Sequence, residues 1–462
     1  MAKSSVPSCR ALRLFSVIVC ILGCAAAAAD LSNAMRQQIN LNGVWQAQAS
    51  ATRSATLPDG PWGEARVPHS WGRGEFENFP MPQLPDGQPA LSMWFQREID
   101  IPESWDDSRR ILVKYLAIHE AHRIYWNGRL VCDEPAARYV EGVDVTPFVR
   151  HGEKNTLTVQ TIYPERDVDG GGFVRDLGIT RSIYLVTQPR AAIAYALVQP
   201  SVKDSRLAIR YGLRNGKTEA ETLTLGATVL DREGNGVLEL PSMEVTLAAG
   251  EEREVELSAP WPDPILWGFG EYGQPYLYTL RSKLGEEETR FDRFGFREFS
   301  TEGTSFLLNG KPIFLKGDLL SRYTVYFESP QAITAYYQRL KAGGMNFLRL
   351  HGSRFDSHCW YDVADELGFL VEAQATHYSD AVGEHAADSP TVKHMWRNYV
   401  IENYNHPALV FWSLDNETFS VGLASRQNLA KIKLDVLKSF DALSTYVREL
   451  DPTRIVEIHH NY

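Results

Sequence analysis

The stretch Asn405-His406-Pro407-Ala408-Leu409-Val410-Phe411-Trp412-Ser413-Leu414-Asp415-Asn416-Glu417 decides how the second half of this chain is read. Asn405-His406-Pro407 breaks whatever precedes it, because a residue before proline is pushed out of the helical region. Ala408 to Trp412 is then apolar without interruption, as in a strand buried on both faces. Such a strand should end in turn residues. This one ends on Asp415 and Glu417 flanking an amide, groups that are costly to hold near a core without partners. The position therefore reads as functional.

The same grammar extends on both sides. Residues 313–316 read as a first strand. Ser329-Pro330 then supplies an N-cap and a proline at the first helical position, Ile333, Tyr337 and Leu340 fall on one face, and Gly343-Gly344 ends the helix. Strand-like runs follow at 345–350, 368–373 and 408–414, separated by helical patterns over 355–367 and 391–404. Leu429, Ile432, Val436, Phe440, Leu443, Val447 and Leu450 mark one apolar face of a long helix, Asp451-Pro452 stops it, and 454–458 is a fifth strand. Strands alternating with helices at this spacing mean a parallel sheet, either open and doubly wound or part of a (β/α)₈ TIM barrel. Residues 299–462 are too few for the roughly 250 of a complete barrel, so the expectation is its N-terminal half.

Upstream the pattern is all β. Residues 93–101, 110–116, 121–126 and 156–162 read as strands, and Asn127-Gly128 is a strong hairpin signal. A second series of alternating strands occupies 189–298, about the length of an immunoglobulin-like sandwich. Three domains also suit a chain of 462 residues at roughly 150 per domain.

Residues 1–29 stand apart. Lys3, Arg10 and Arg13 precede an apolar run and Ala25 to Ala29, the layout of an export signal, and the run is well short of the roughly 20 residues that span a bilayer. Export to the periplasm or the extracellular space is expected, with no membrane insertion. Ile21-Leu22-Gly23-Cys24 resembles a lipoprotein cleavage box, which would tether the mature chain at Cys24. Removing the signal takes away three positive charges and moves the net charge from −11 to −14, which argues against nucleic acid and anionic membrane as partners. Only Cys132 and Cys359 lie beyond the signal, so no disulfide framework is expected.

The stretch 405–417 resembles the acid/base signature of glycoside hydrolase family 2, the family of β-galactosidases, β-glucuronidases and β-mannosidases. Val67-Pro68-His69-Ser70-Trp71, Trp126-Asn127-Gly128 and Arg181-Ser182-Ile183-Tyr184-Leu185 resemble its jelly-roll domain. Leu266-Trp267, Phe294-Gly295-Phe296-Arg297 and Leu308-Asn309-Gly310-Lys311-Pro312 resemble the passage from its sandwich domain into its barrel. Asp365-Glu366-Leu367-Gly368 matches the segment before the third strand. The resemblance implies a signal peptide over 1–29, a jelly-roll sugar-binding-like β-sandwich over 30–188, an immunoglobulin-like β-sandwich over 189–298, and half of a TIM-barrel catalytic domain over 299–462.

It also implies an activity: retaining exo-hydrolysis of terminal β-linked sugars. No cofactor is expected and no residue is assigned as a metal ligand. Glu417 would be the general acid/base and Asn416 the group that hydrogen-bonds the hydroxyl beside the anomeric carbon. Arg349 would hold the nucleophile's carboxylate, and His351, Trp412 and Glu372 are further candidates for the substrate-binding wall. Retention needs a second carboxylate about 5 Å from the first. In this family it comes from the seventh strand, so no nucleophile is expected within this chain and the 462-residue form is expected to be inactive alone. Glu457 lies on the wrong strand for that role. A carbohydrate-binding protein without chemistry, or one fragment of a split glycosidase, remain as alternatives.

Other motif matches fail on context. Gly268-Phe269-Gly270-Glu271-Tyr272-Gly273 fits a dinucleotide fingerprint, but no strand leads in and no helix follows. His119-Glu120-Ala121-His122 lacks the spacing of a zinc-binding helix.

Overall fold

The computed structural model describes residues 35–71, 84–118, 121–134, 142–163, 177–321, 329–351, 358–374, 389–415 and 429–458. The expected export signal with Cys24, the residues His119 and Glu120, and the pair Asn416 and Glu417 lie outside the described residues. No helix among those described is long and apolar enough to cross a membrane.

The first unit is a sandwich of two antiparallel sheets. Six strands run in the order Gly63–Val67, Gly43–Ser50, Ser92–Asp100, Lys154–Ile162, Ala121–Trp126, Arg129–Glu134. Four more, Gln38–Asn40, Ile183–Pro189, Arg109–Tyr115 and Val143–Asp144, form the facing sheet. Alternate residues such as Trp45, Phe95, Trp126, Val113 and Leu185 fill the space between them. Asn127 and Gly128 both take positive φ, 50° and 79°, and close the hairpin that their dipeptide predicts. The second unit packs Ala191–Ser201, Arg206–Asn215 and Glu252–Pro260 against Gly236–Leu247, Glu221–Leu230, Tyr278–Leu284 and Glu288–Phe294, around Ile193, Tyr211, Val229 and Phe294.

The third unit opens with a correction. Residues 313–316 are not the first parallel strand. Ile313 closes a small antiparallel sheet (Phe299–Glu302, Ser305–Leu308, Lys311–Ile313) by pairing with Phe306, and the first parallel strand is Gly317–Ser321. The parallel ladder starts where the Lys316 carbonyl accepts the amides of Asn346 and Phe347, at 2.9 and 3.2 Å. From there Gly317–Ser321, Phe347–His351, Leu370–Gln374, Leu409–Ser413 and Ile455–Glu457 lie side by side in chain order, all parallel. Helices Pro330–Ala342, His358–Leu367, Pro390–Asn403 and Leu429–Leu450 connect them. Ser329 and Ser389 cap the first and third, each accepting from the amide three residues on.

The period of two divides the parallel sheet into two faces. Leu348, Leu350, Val371, Ala373 and Trp412 turn toward the helices and are buried. Phe347, Arg349, Glu372 and Phe411 take the opposite face. There the Phe411 ring meets Phe299, Phe306 and Phe347 at 5.5 to 5.7 Å, so the small antiparallel sheet plugs that face with an aromatic floor.

The seam between the second and third units is closely packed. Trp267 is fully buried and donates Nε1 to the Asp365 carbonyl at 2.8 Å. The Gly268 to Gly273 stretch is a turn around the short 3₁₀ segment Gly270–Tyr272, fastened by Asn309 Nδ2 to the carbonyls of Trp267 and Tyr272. Two of its glycines serve packing: a Cβ on Gly268 would meet the Tyr272 carbonyl oxygen at 2.8 Å, and one on Gly273 the Leu266 carbonyl oxygen at 2.5 Å. Across the seam Gly368 has φ +63° and its Cβ would lie 2.6 Å from the Gly268 oxygen, whereas Gly344, at φ +79°, has open space. Gly344→Ala should therefore cost only the left-handed penalty of about 1 kcal/mol. Gly368→Ala should cost about 3 kcal/mol or more, because the backbones must separate. Chemical denaturation of the two variants measures the difference, and equal losses would contradict the close approach.

Candidate active site

The entrance to the fourth parallel strand is held from three directions. Asn405 donates Nδ2 to the Ala196 carbonyl at 2.8 Å and accepts from the Val198 amide at 2.9 Å, which fastens it to the second unit. Asp365, on the helix His358–Leu367, accepts from His406 Nδ1 at 2.6 Å and from the Ala408 amide at 2.9 Å. Arg297 reaches in from the second unit and donates to the carbonyls of Pro407, Leu409 and Thr453. Arg454, at the start of the fifth strand, donates to the same Leu409 oxygen at 3.0 Å, to the carbonyls of His406 and Tyr404, and to Asp451 at 2.7 Å. Burial would push the Asp451 carboxyl up, but Arg454, the Thr453 hydroxyl and the Trp412 indole N–H hold it below its ordinary range.

Beyond this clamp the strand ends deliver polar groups to the face opposite the helices. Arg349 donates Nε to Glu372 Oε1 at 2.7 Å, and Glu372 is only 4% exposed. A carboxylate buried this deeply persists because a guanidinium meets it. The next residues on the same parity, Gln374, Ser413 and Glu457, are in register with one another across the third, fourth and fifth strands. Gln374, Ser413 and, two residues further, Asp415 are fully buried, and the Ser413 hydroxyl donates to the Asp415 carbonyl at 3.3 Å. These groups lie at the carboxyl ends of parallel strands, where βα enzymes place their chemistry. The first strand adds Leu319, opposite Arg349 and 46% exposed.

Of the sequence-predicted site residues, the structure brings Arg349 and Glu372 into direct contact. It does not bring Trp412 to them. Trp412 lies on the helix side, edge-on to Trp396 and Tyr399, with its indole N–H donated to Asp451 at 2.8 Å. Reading it as a wall of the site is corrected to a core residue of the layer between sheet and helices. Phe411 belongs to the aromatic floor. His351 ends the second strand on the parity of Arg349. Asn416 and Glu417 directly follow Asp415 and lie outside the described residues. Sequence reasoning passed over Gln374 and Ser413. Counting by two from Glu372 and Phe411 would have found them.

Asp362, Asp365 and His406 place three ligand-type atoms within 4.8 Å of one another. Arg293 already donates to Asp362 and Glu366, and both Asp365 oxygens are engaged, so a cation there would have to displace existing partners.

Three family models match successive parts of the chain. They are the glycosyl hydrolases family 2 sugar binding domain over residues 77–189, glycosyl hydrolases family 2 over 191–297, and its TIM barrel domain over 299–462. The chain belongs to glycoside hydrolase family 2. A β-galactosidase of Bacteroides ovatus is 24% identical over 469 residues, covering 91% of this chain and 54% of the relative. A β-glucuronidase of Rattus norvegicus is 24% identical over 411 residues, covering 80% of this chain and 59% of the relative. The crystal structure of a Bacteroides uniformis β-glucuronidase superposes with a TM-score of 0.76 at 21% identity, covering 92% of this chain and 52% of that one. The chain thus spans about half the length of these relatives.

The clamp is open to a pH test. Burial alone would depress the His406 imidazole, but the adjacent Asp365 carboxylate raises it above its ordinary value. A raised folded-state pKa gives stability that is complete below the unfolded value, about 6.5, and is lost as pH climbs through the folded one. The Tm of the third unit is therefore expected to fall as pH rises above about 6.5, and His406→Gln to flatten that slope. His406→Ala should cost about 3 kcal/mol, because it leaves Asp365 buried without its partner. A wild-type slope shared by the variant would remove His406 as its cause.

Proposed function

We propose that this chain carries the acid/base half of a retaining β-glycosidase site, acting on the non-reducing end of a β-linked sugar. The observation that supports this most strongly is the row of buried polar groups, Glu372, Gln374, Ser413 and Asp415, with the partly buried Arg349 paired to Glu372, on the face and at the strand ends from which Glu417 follows. Glu417 donates a proton to the glycosidic oxygen as the bond to the anomeric carbon breaks, then takes a proton from the attacking water. Asn416 donates to the hydroxyl beside the anomeric carbon, a contact that strengthens as charge develops on the ring. Arg349, oriented by Glu372, presents its guanidinium to the carboxylate that forms the covalent intermediate. That carboxylate is assigned to no residue of this chain, since Glu372 is engaged by Arg349 and Glu457 lies on the strand next to the acid/base strand. Glucuronides and galactosides are the first substrates to try, from the named activities of the relatives.

Two measurements test this reading. Calorimetric titration with galactonolactone and glucarolactone should show binding that falls roughly tenfold or more in Asn416→Ala and in Arg349→Leu, the loss of a charge-assisted or transition-state-like hydrogen bond. Affinity unchanged in both variants would contradict the site. On nitrophenyl β-glucuronide and β-galactoside the chain alone should show no turnover. Turnover that disappears in Glu417→Gln would place the attacking carboxylate within these 462 residues and overturn that part of the proposal.

A further inference from the structure

In a cavity of about 510 Å³ at the junction of the three units, Arg36 is paired to Glu288, Lys114 to Glu402 and Arg290 to Asp292, and Arg397 lies over the Tyr195 ring. A second cavity, of about 420 Å³, lies in the seam between the first two units. Its walls carry three arginines, Arg110, Arg190 and Arg214, against one carboxylate, Asp144. Arg110 places Nε and Nη2 on Asp144 Oδ2 at 3.0 and 2.8 Å, while Oδ1 accepts from the amide and hydroxyl of Thr146. The carboxylate is thereby saturated. Arg110 Nη1 is sealed from bulk solvent and has no protein partner. Arg190 donates Nε to the Asp107 carbonyl and pairs with no carboxylate among the described residues. Arg214 is bridged to Glu252, which is largely exposed and does not line the cavity.

Arg110 and Arg214 lie on strands and Arg190 directly follows one, while Thr146, Pro147, Gly216 and Gly250 line the cavity from segments between strands. Arg110 sits opposite Gln188 in the sheet, Arg190 follows that strand directly, and Arg214 lies opposite Ala192 in the next unit. Gly216 keeps the approach tight, since a Cβ there would meet the Arg190 oxygen at 3.0 Å and the Arg110 side chain at 3.5 Å. The chain as a whole carries a net charge of −11, so an excess of guanidinium groups in one cleft runs against its overall sign. Held together in a partly desolvated cleft, these cations repel one another, and a bound anion offsets that repulsion. The volume exceeds what a single inorganic anion fills and lies in the range of small-molecule sites, roughly 300 to 1,000 Å³.

We propose that this seam binds an acidic saccharide, with one carboxylate taken by Arg190, and the sugar ring lying over Pro147 and the aliphatic stems of the arginines. No lining residue comes from the parallel sheet, so binding here is independent of the function assigned there. An acidic oligosaccharide held in the seam would keep a polymeric substrate on the enzyme while its end is processed elsewhere.

The test is calorimetric titration of the whole chain with trigalacturonate at low salt, with neutral maltotriose as the control. One-to-one binding of the acidic sugar is expected, at least tenfold tighter than the neutral one, and at least tenfold weaker in Arg190→Gln. Gly250→Asp gives a second variant: Gly250 lines the cavity at φ +71° with nothing within 4 Å of an added Cβ, and aspartate tolerates that conformation. It adds a carboxylate to the wall without removing a contact and should weaken binding to the same extent, while Arg349→Leu should leave this binding unchanged. Absence of binding, equal affinity for maltotriose, loss of binding in Arg349→Leu, or affinity preserved in Gly250→Asp would each overturn the proposal.

Discussion

Two guanidinium groups meeting at one carbonyl oxygen, that of Leu409, hold this architecture together. Arg297 comes from the second unit and Arg454 directly precedes the fifth parallel strand, both nearly fully buried. Charges taken this far from water are tolerated only when every donor finds an acceptor. In this molecule the acceptors are the carbonyls of residues 404, 406, 407, 409 and 453, together with Asp451. The cost of desolvation is thereby converted into geometry. The chain entering the fourth strand has one permitted path, and Asp415 and the residues after it leave that strand from a fixed place.

The same constraint explains why the sandwich units and the parallel sheet form one body. Asn405 bonds to Ala196 and Val198, Trp267 to Asp365, and Lys114 to Glu402, so the fourth strand and the helix before it are tied to the two β units. The aromatic floor of Phe299, Phe306, Phe347 and Phe411 closes one end of the inner face. Above it the Arg349–Glu372 pair begins a polar region. An apolar base beneath charged groups lowers the local dielectric, which is what a site needs if fixed dipoles are to act strongly on a developing charge.

Much of this was legible in the sequence because it is written locally. Ser329-Pro330 and Gly343-Gly344 state where a helix begins and ends, and Asn127-Gly128 states a hairpin, with no reference to the rest of the chain. The first parallel strand was misplaced because an apolar run does not say whether its partner will be parallel or antiparallel. Phe314, taken as part of that strand, is 76% exposed. Trp412 was misread for a related reason. When both faces of a strand are buried, composition does not reveal which face looks at the helices. The motif 405–407 was recognisable, yet its physical role was not, since the partners of Asn405 lie more than two hundred residues earlier and those of His406 about forty. The imbalance of arginines between the first two units is likewise invisible in sequence, because Arg110, Arg190 and Arg214 come together only through the pairing of strands.

The most direct measurement of the central claim is hydrogen exchange across the fourth strand in Arg297→Met. If the buried guanidinium fixes that strand, amides of residues 408–414 should exchange at least tenfold faster than in the wild type, while those of Ser92–Asp100 and Lys154–Ile162 in the first unit keep their protection. Unchanged protection in 408–414 would show that the strand is held by its neighbours alone, and that the buried guanidinium pair does not set the path of the chain into the site.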